Sequence, residues 1–207
     1  MYPPATLFLD VCVQSELWPD GAWPLVSDEQ ADRVTRLFAL ARAHDLRQGG
    51  VVCRHVSSDA TPAGDVPLHC QSIEAADRRP AGCLPILPLQ IWTAEGASDH
   101  APALDRARAV YVDSGCGHDP DDLPRRARVF AHLTAGVRDA VVFGAGVEHG
   151  LRRVVDALLR RRIRIHVALD AVGTRDEVRA QVLVAGWKRR GVDGVTVEIV
   201  ERMLRRR

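Results

Sequence analysis

The stretch that decides the fold is RDAVVFGAGVEHGLRRVVDALLRRRIRIHVALDA, residues 138–171. Ala140 to Phe143 form a short apolar run of the kind found in buried parallel strands. Gly144, Gly146 and Gly150 follow, and they let the backbone turn sharply and approach other groups closely. Beyond them Leu151, Val154, Val155, Leu158 and Leu159 recur at helical spacing. Arg160, Arg161 and Arg162 close that helix, where cations suit the dipole. Ile163, Ile165, Val167 and Leu169 then alternate as a strand that ends in Asp170. Strand, glycine turn, helix and strand make a βαβ unit, whose turn offers free backbone N–H groups to a ligand.

The rest of the chain extends this pattern. Ala5 to Leu9 read as a strand that delivers Asp10 at its end. Ser27 to Gln30 have capping-box spacing, opening a helix with Ala31, Val34, Leu37, Phe38 and Ala41 on one face. That helix is expected to stop near Gly49-Gly50, with a second strand at Val51 to Cys53. Residues 54–102 form a long irregular segment, because five prolines between Pro62 and Pro88 exclude a regular helix or a central strand. Segments of that length usually line a pocket or cover it. Ala109 to Val112 form a third strand with Asp113 at its end, and a helix follows with Val129, Phe130 and Leu133 inward. Thr174 to Glu177 have capping-box spacing for a last long helix to about Arg190. A final strand is expected around Val195 to Val200. Residues 1–207 are therefore read as one α/β domain, a Rossmann-like three-layer α/β/α arrangement with a mainly parallel sheet of about six strands.

Composition bounds the function. The formal net charge of +1 gives no electrostatic support for nucleic-acid or membrane binding. No apolar run reaches membrane-spanning length. Asp10 interrupts the N-terminal apolar stretch, which argues against a secretory leader. Five cysteines without tight spacing read as reduced thiols, so a cytoplasmic location is expected. Of the 28 basic residues only Lys188 is a lysine.

Two readings of the glycine turn compete. Gly144-x-Gly146-x-x-x-Gly150 after a strand, with Asp170 about twenty residues on, has the outline of a dinucleotide-binding turn. The second reading is a resemblance that runs in order through the chain. Leu7-Phe8-Leu9-Asp10-Val11, Asp20 to Leu25, Val51 to His55, Pro67-Leu68-His69-Cys70, Gly82 to Leu87, His118 to Pro124, Gly144 to Leu151 and Asp170-Ala171 resemble successive motifs of the isochorismatase-like superfamily of cysteine hydrolases, which includes the nicotinamidases. The dinucleotide reading accounts only for the last unit.

The resemblance implies a set of site positions. Asp10 matches the family's acid/base aspartate. The family's lysine would fall near Asp113, where no lysine stands. Its nucleophilic cysteine falls on Gly150. The turn Gly146, Val147, Glu148, His149 and Gly150 matches the ligand-binding backbone. Isochorismatases also carry glycine at that last position and protonate a vinyl ether from the aspartate without a thiol. Nicotinamidase metal ligands map to His55, Ser57 and His69, so no cofactor is expected, with zinc at His55 and His69, helped by Asp59 or Cys70, as the alternative. Cys116 with His118 could form a relocated nucleophile, although an inert thiol is the simpler account. By period-two geometry Cys12 should share a strand face with Asp10.

The reading that follows is an isochorismatase-like fold with a degenerate triad: a pseudoenzyme, a small-ligand binder or an assembly subunit. The alternatives are a cysteine-independent hydrolase of a small carboxylic acid using Asp10, and a dinucleotide binder at Gly144 to Gly150. The expected ligand is a small carboxylic acid, and the arginines of residues 152–164 suit a solvated face or a homo-oligomer or hetero-assembly surface.

Overall fold

The computed structural model describes residues 6–53, 78–92, 107–113 and 119–205. The strands are β1 Thr6–Val11, β2 Arg47–Val52, β3 Leu89–Trp92, β4 Ala109–Asp113, β5 Asp139–Ala145, β6 Arg164–Gly173 and β7 Asp193–Val195. The helices are α1 Asp28–Ala43, α2 Pro124–Thr134, α3 Arg152–Arg160, α4 Glu177–Arg189 and α5 Val197–Arg205. The strands form one sheet in the order β3-β4-β2-β1-β5-β6-β7, and each described pair is parallel. The mainly parallel sheet expected from the sequence is present, with one strand more than the expected six or so.

Helices cover both faces. Val129, Phe130 and Leu133 of α2, Val154, Val155 and Leu158 of α3, and Ala180 and Trp187 of α4 pack on Leu7, Leu9, Val11 and Val142. Val34, Leu37, Phe38 and Ala41 of α1, with Val197, Val200 and Leu204 of α5, pack on Phe8, Val141 and Phe143. Alternation along β1 thus sends Phe8 toward the α1/α5 layer and Leu9 and Val11 toward the α2/α3/α4 layer.

Four local expectations need correction. Gly49 and Gly50 do not end α1; they lie inside β2, and the helix ends at Ala43 with Asp45 in a left-handed turn. The irregular segment contains β3, which a proline-rich flank concealed; as an edge strand it can follow Pro88. The cap of α4 is Asp176, whose side chain accepts from the Arg179 N–H, and Thr174 is bonded elsewhere. The expected final strand is only Asp193–Val195, and Val197 begins a helix instead. Its valines and leucine fall at 197, 200 and 204, a helical period that the β-branched composition masked.

Asp170 connects these parts. The register of β5 and β6 shifts between Val142/Val167 and Gly144/Val172, so β6 continues past Asp170 to Gly173. In this irregular stretch the Asp170 carboxylate accepts from the Val197 N–H at 3.1 and 3.2 Å and pairs with Arg33 of α1. It thereby satisfies a donor at the start of α5 and joins both helices of one layer to the sheet. Arg160 and Arg161, at the end of α3, are also engaged within the chain. Arg160 holds Asp119 at 2.7 Å, and both arginines hold Asp121. Burial would raise the Asp121 pKa, but hydrogen bonds from Arg161 and Arg160 outweigh it and lower it.

Asp170→Ala should destabilise the protein by about 1–2 kcal/mol through loss of the helix-start acceptor and the Arg33 pair. Urea unfolding measures this, and titration of NAD into the wild type should give no binding heat, since the carboxylate is already committed to Val197 and Arg33.

Candidate functional site

Asp10 lies one residue before the end of β1, opposite Gly50 of β2, which is itself opposite Tyr111 of β4. The three residues form one row across the sheet. Gly50 has no side chain, so the Tyr111 ring lies over β2: a Cβ at Gly50 would stand 2.9 Å from Tyr111 Cε1 and 2.1 Å from the Asp10 carbonyl oxygen. The Tyr111 hydroxyl reaches across this gap and donates to Asp10 Oδ2.

The other carboxylate oxygen is held from above. Residues 78–88 cross the α1/α5 face as a strap. The Arg78 carbonyl accepts from the Ser15 N–H at 2.9 Å, Arg42 donates to the carbonyls of Gly82 and Leu84, and the Ile86 N–H donates to Gln48 Oε1. The strap delivers Arg79, whose Nη1 donates to Asp10 Oδ1 at 2.9 Å. Its guanidinium carbon lies 4.0 Å from the Tyr111 ring centroid, a cation–π distance. The Asp10 and Arg79 side chains are each 2% exposed. Arg79 Nη2 is buried and has no hydrogen-bond partner among the described residues, and the same is true of Gln48 Nε2.

Burial sets the electrostatics. It is the largest influence on Asp10 and raises its pKa above the usual carboxylate value; the Arg79 charge and the bonds from Tyr111 and Arg79 oppose it. Burial pulls Arg79 down, but Asp10 outweighs it and keeps the guanidinium charged. Tyr111 is pushed well above its ordinary value, first by burial, so it stays a neutral donor. Cys83, on the strap, is pushed up to about 11, chiefly by burial, with Thr35 beside it at 3.5 Å. It is an unreactive thiol at neutral pH.

The glycine turn lies on the other layer. Gly146 takes a left-handed conformation (φ +76°), and a π turn Val147–Leu151 leads into α3. Glu148 is buried. Its carboxylate accepts from the Thr174 hydroxyl and, at 3.0 Å, from the Asp176 N–H, so it ties the turn to the β6–α4 loop. His149 is half-buried and Val147 is buried. Gly150 is packed tightly: a Cβ there would lie 3.1 Å from Val11 Cγ1 and 3.3 Å from Cys12 Sγ, with no atom of Asp10 within 4 Å.

The structure therefore brings some expected residues together and separates others. Asp113, at the end of β4, shares the Tyr111 face by alternation and is buried. Asp10 and Gly150 have different neighbours. Cys12 does not follow Asp10: its positive φ of 53° breaks the alternation, and it packs with Leu9 and Val11 beside Gly150. His55, Ser57, Asp59, His69, Cys70, Cys116 and His118 lie outside the described residues. Among the described residues no group of three or more His, Cys, Asp or Glu could hold a metal ion.

Sequence reasoning missed Arg79, Tyr111 and Gly50. Tyr111 had a signal, since a buried tyrosine hydroxyl needs a partner and Asp10 ends a nearby strand. Arg79 had none, because it reaches Asp10 from 69 residues away along the chain.

No family model and no curated protein matches the sequence. Solved structures do match. An isochorismatase family protein from Desulfovibrio vulgaris subsp. vulgaris str. Hildenborough superposes with a TM-score of 0.69 at 15% identity, covering 98% of this chain and 99% of that one. The pyrazinamidase of Pyrococcus horikoshii, solved in complex with zinc, gives 0.65 at 19%, covering 93% and 99%. N-carbamoylsarcosine amidase from Thermoplasma acidophilum gives 0.62 at 16%, covering 95% and 97%. The fold is thus the isochorismatase-like hydrolase fold.

Tyr111→Phe should cost about 1–3 kcal/mol, since it leaves one oxygen of a buried carboxylate without its donor. Gly50→Ala should cost at least as much, because its Cβ collides with both Asp10 and Tyr111. Denaturant unfolding of the two variants checks both values.

Proposed function

We propose that this protein binds a small carboxylic acid beside Arg79 and does not carry out thiol-dependent amide hydrolysis. The observation that carries the reading is the Asp10 carboxylate, whose two oxygens are held by Arg79 and Tyr111 inside the protein. With both oxygens taken and no atom of Asp10 within 4 Å of where a Cβ at Gly150 would stand, this carboxylate is not placed to take a thiol proton there. The surroundings of Gly150 support the same reading: Val11 and Cys12 have closed on the glycine, leaving little room for a cysteine side chain.

The positive argument for a ligand is Arg79. It gives one nitrogen to Asp10 and keeps another buried without a partner among the described residues. An arginine fork fits carboxylate oxygens, and a buried unmet donor is costly until an acceptor arrives. Asp10 and Arg79 cancel in charge, so an incoming carboxylate would leave one negative charge in excess. Asp10, already raised by burial and facing Arg79, Tyr111 and the Cys83 thiol, is the group that takes up a proton to offset it. Carboxylate binding is therefore coupled to proton uptake by Asp10.

A second reading also has an observation behind it. A carboxyl group with a raised pKa is what a general acid requires, and an isochorismatase-type hydrolase would use Asp10 to protonate its substrate. In that case Glu148, bonded to Thr174 and Asp176, plays a structural part.

Calorimetric titration with benzoate and other small cyclic carboxylates should show affinity rising as pH falls toward the ligand's own pKa, by at most about tenfold per pH unit. Buffers of different ionisation enthalpy should report about one proton taken up. Arg79→Lys, which can keep the pair with Asp10 but lacks the second nitrogen of the guanidinium fork, should weaken binding at least about tenfold. Equal affinity in the variant, or binding without proton uptake, would remove the support for an Arg79 site. Vinyl-ether cleavage lost in Asp10→Asn would favour the second reading.

The Gly150→Cys variant should not hydrolyse nicotinamide, and it should lose about 1–3 kcal/mol of stability through contact with Val11 and Cys12. Turnover of nicotinamide by this variant, measured as ammonia release, would show that only the thiol was missing.

A further inference from the structure

The geometry points to Gln48 as a second ligand-binding donor of the site, one that selects a carboxylic acid carrying an uncharged acceptor oxygen on the same molecule. The inference rests on the Arg79 reading above and adds to it the class of ligand. Gln48 is 2% exposed, and the orientation of its amide is fixed. Its Oε1 accepts from the Ile86 N–H at 2.6 Å, and a backbone N–H can only donate. The other end of the amide is therefore the NH2 group. That nitrogen is buried and, like Arg79 Nη2, has no partner among the described residues. Buried polar groups are nearly always bonded, so each unmet donor calls for an acceptor.

Both donors belong to one face of the sheet and to one strap. Gln48 lies between Phe8 of β1 and Ala109 of β4, in the row two residues before that of Asp10, Gly50 and Tyr111. Period-two alternation puts both rows on the α1/α5 face. The strap is tied to the first row through Ile86 and to the second through Arg79, so residues 79–86 arch over both. Cys83, between them in the chain, is held against Thr35 of α1. Among the described residues Ala109 and Tyr111 of β4 form an apolar group with Val52, apart from the group of Phe8, Phe38 and Cys83. The apolar packing of this face is thus interrupted over β2, where Gln48 and Gly50 stand.

The two donors differ in charge, and that difference selects the ligand. The guanidinium of Arg79 suits a carboxylate. The Gln48 amide is neutral, and Asp10, Tyr111 and Cys83, the titratable groups on this face beside Arg79, supply no second positive charge. A second carboxylate at Gln48 would therefore be buried without a counter-charge, at high cost. An uncharged oxygen of a ketone or ester meets the Gln48 N–H without that cost. The two rows stand about 7 Å apart along the strands. The acceptor oxygen therefore belongs at the far end of a short chain, roughly the length of a five-carbon diacid.

Calorimetric titration of the whole protein at neutral pH with monomethyl glutarate, hexanoate and glutarate tests this. The ester should bind roughly three- to tenfold tighter than hexanoate, the worth of one hydrogen bond. Glutarate, with its second charge, should bind at least about tenfold more weakly than the ester. Gln48→Glu keeps an oxygen for the Ile86 N–H and turns the free donor into an acceptor. The variant should lose the preference for the ester over hexanoate. It should also bind δ-aminovalerate, which carries an ammonium at the far end of a similar chain, at least about tenfold tighter than the wild type does. Thermal melting checks that the variant is folded, and the wild-type ranking is decisive without it. Acids that bind through Arg79 with hexanoate equal to the ester, or a folded Gln48→Glu variant that keeps the wild-type ranking, would overturn the role of Gln48 and leave the Arg79 reading standing. No binding of any of these acids, or binding unchanged in Arg79→Lys, would remove the Arg79 reading and this inference with it.

Discussion

The buried pair of Asp10 and Arg79 is the interaction on which the site depends. Each charge loses its hydration, and the loss is tolerable only because each meets the other together with Tyr111. Removing either partner would leave an uncompensated charge inside the protein, a penalty of about 3–5 kcal/mol in comparable cases. The pair also fixes the backbone. Arg79 comes from a strap that makes no described ladder contact at that point, and it is fastened to β1 and β2 through Asp10 and Gln48 and to the surrounding chain through Ser15 and Arg42. The strap is thus positioned by polar groups that must be satisfied.

The sheet prepares this arrangement through an absence of side chain. Gly50 sits in the middle of a row in which both neighbours are large and polar, and a residue of any other type would separate them. Glycine weakens a strand interior, and its presence there marks a close approach. Gly150 shows the same principle on the opposite layer, where α3 begins against Val11 and Cys12. The two glycines make two different close contacts, one that brings Tyr111 to Asp10 and one that lets the helix start reach β1.

The fold was legible in the sequence where the signals were local. The period-two run at residues 163–169, the helical spacing of Leu151, Val154, Val155 and Leu158, and the Ser27–Gln30 capping box all appear in the structure. The errors came where local signals conflicted. A glycine pair read as a helix stop was a strand interior, and a valine-rich stretch read as a strand was a helix, with its start fixed by Asp170 from another strand. The site was less legible because its contacts are long-range. Asp10 stood out by its place at a strand end, yet its partners come from a proline-rich segment and a third strand. Glu148 belongs by resemblance to the ligand-binding turn, yet its carboxylate bonds the β6–α4 loop.

The choice of arginine in the site has physical consequences. A lysine beside Asp10 would offer a compact charge on a flexible stem. Arg79 offers a flat ion that can stack on Tyr111, bond Asp10 along one edge and keep another nitrogen for a further acceptor. Its proton is not available for transfer at any ordinary pH, so the guanidinium can hold and orient an anion but cannot shuttle a proton. Of the three groups in the cluster, Tyr111 is pushed too high to ionise and Arg79 cannot lose its charge. Asp10 is the one member of the three whose neutral form burial favours. On the proposed reading, that constraint suits a site whose charge state follows its ligand.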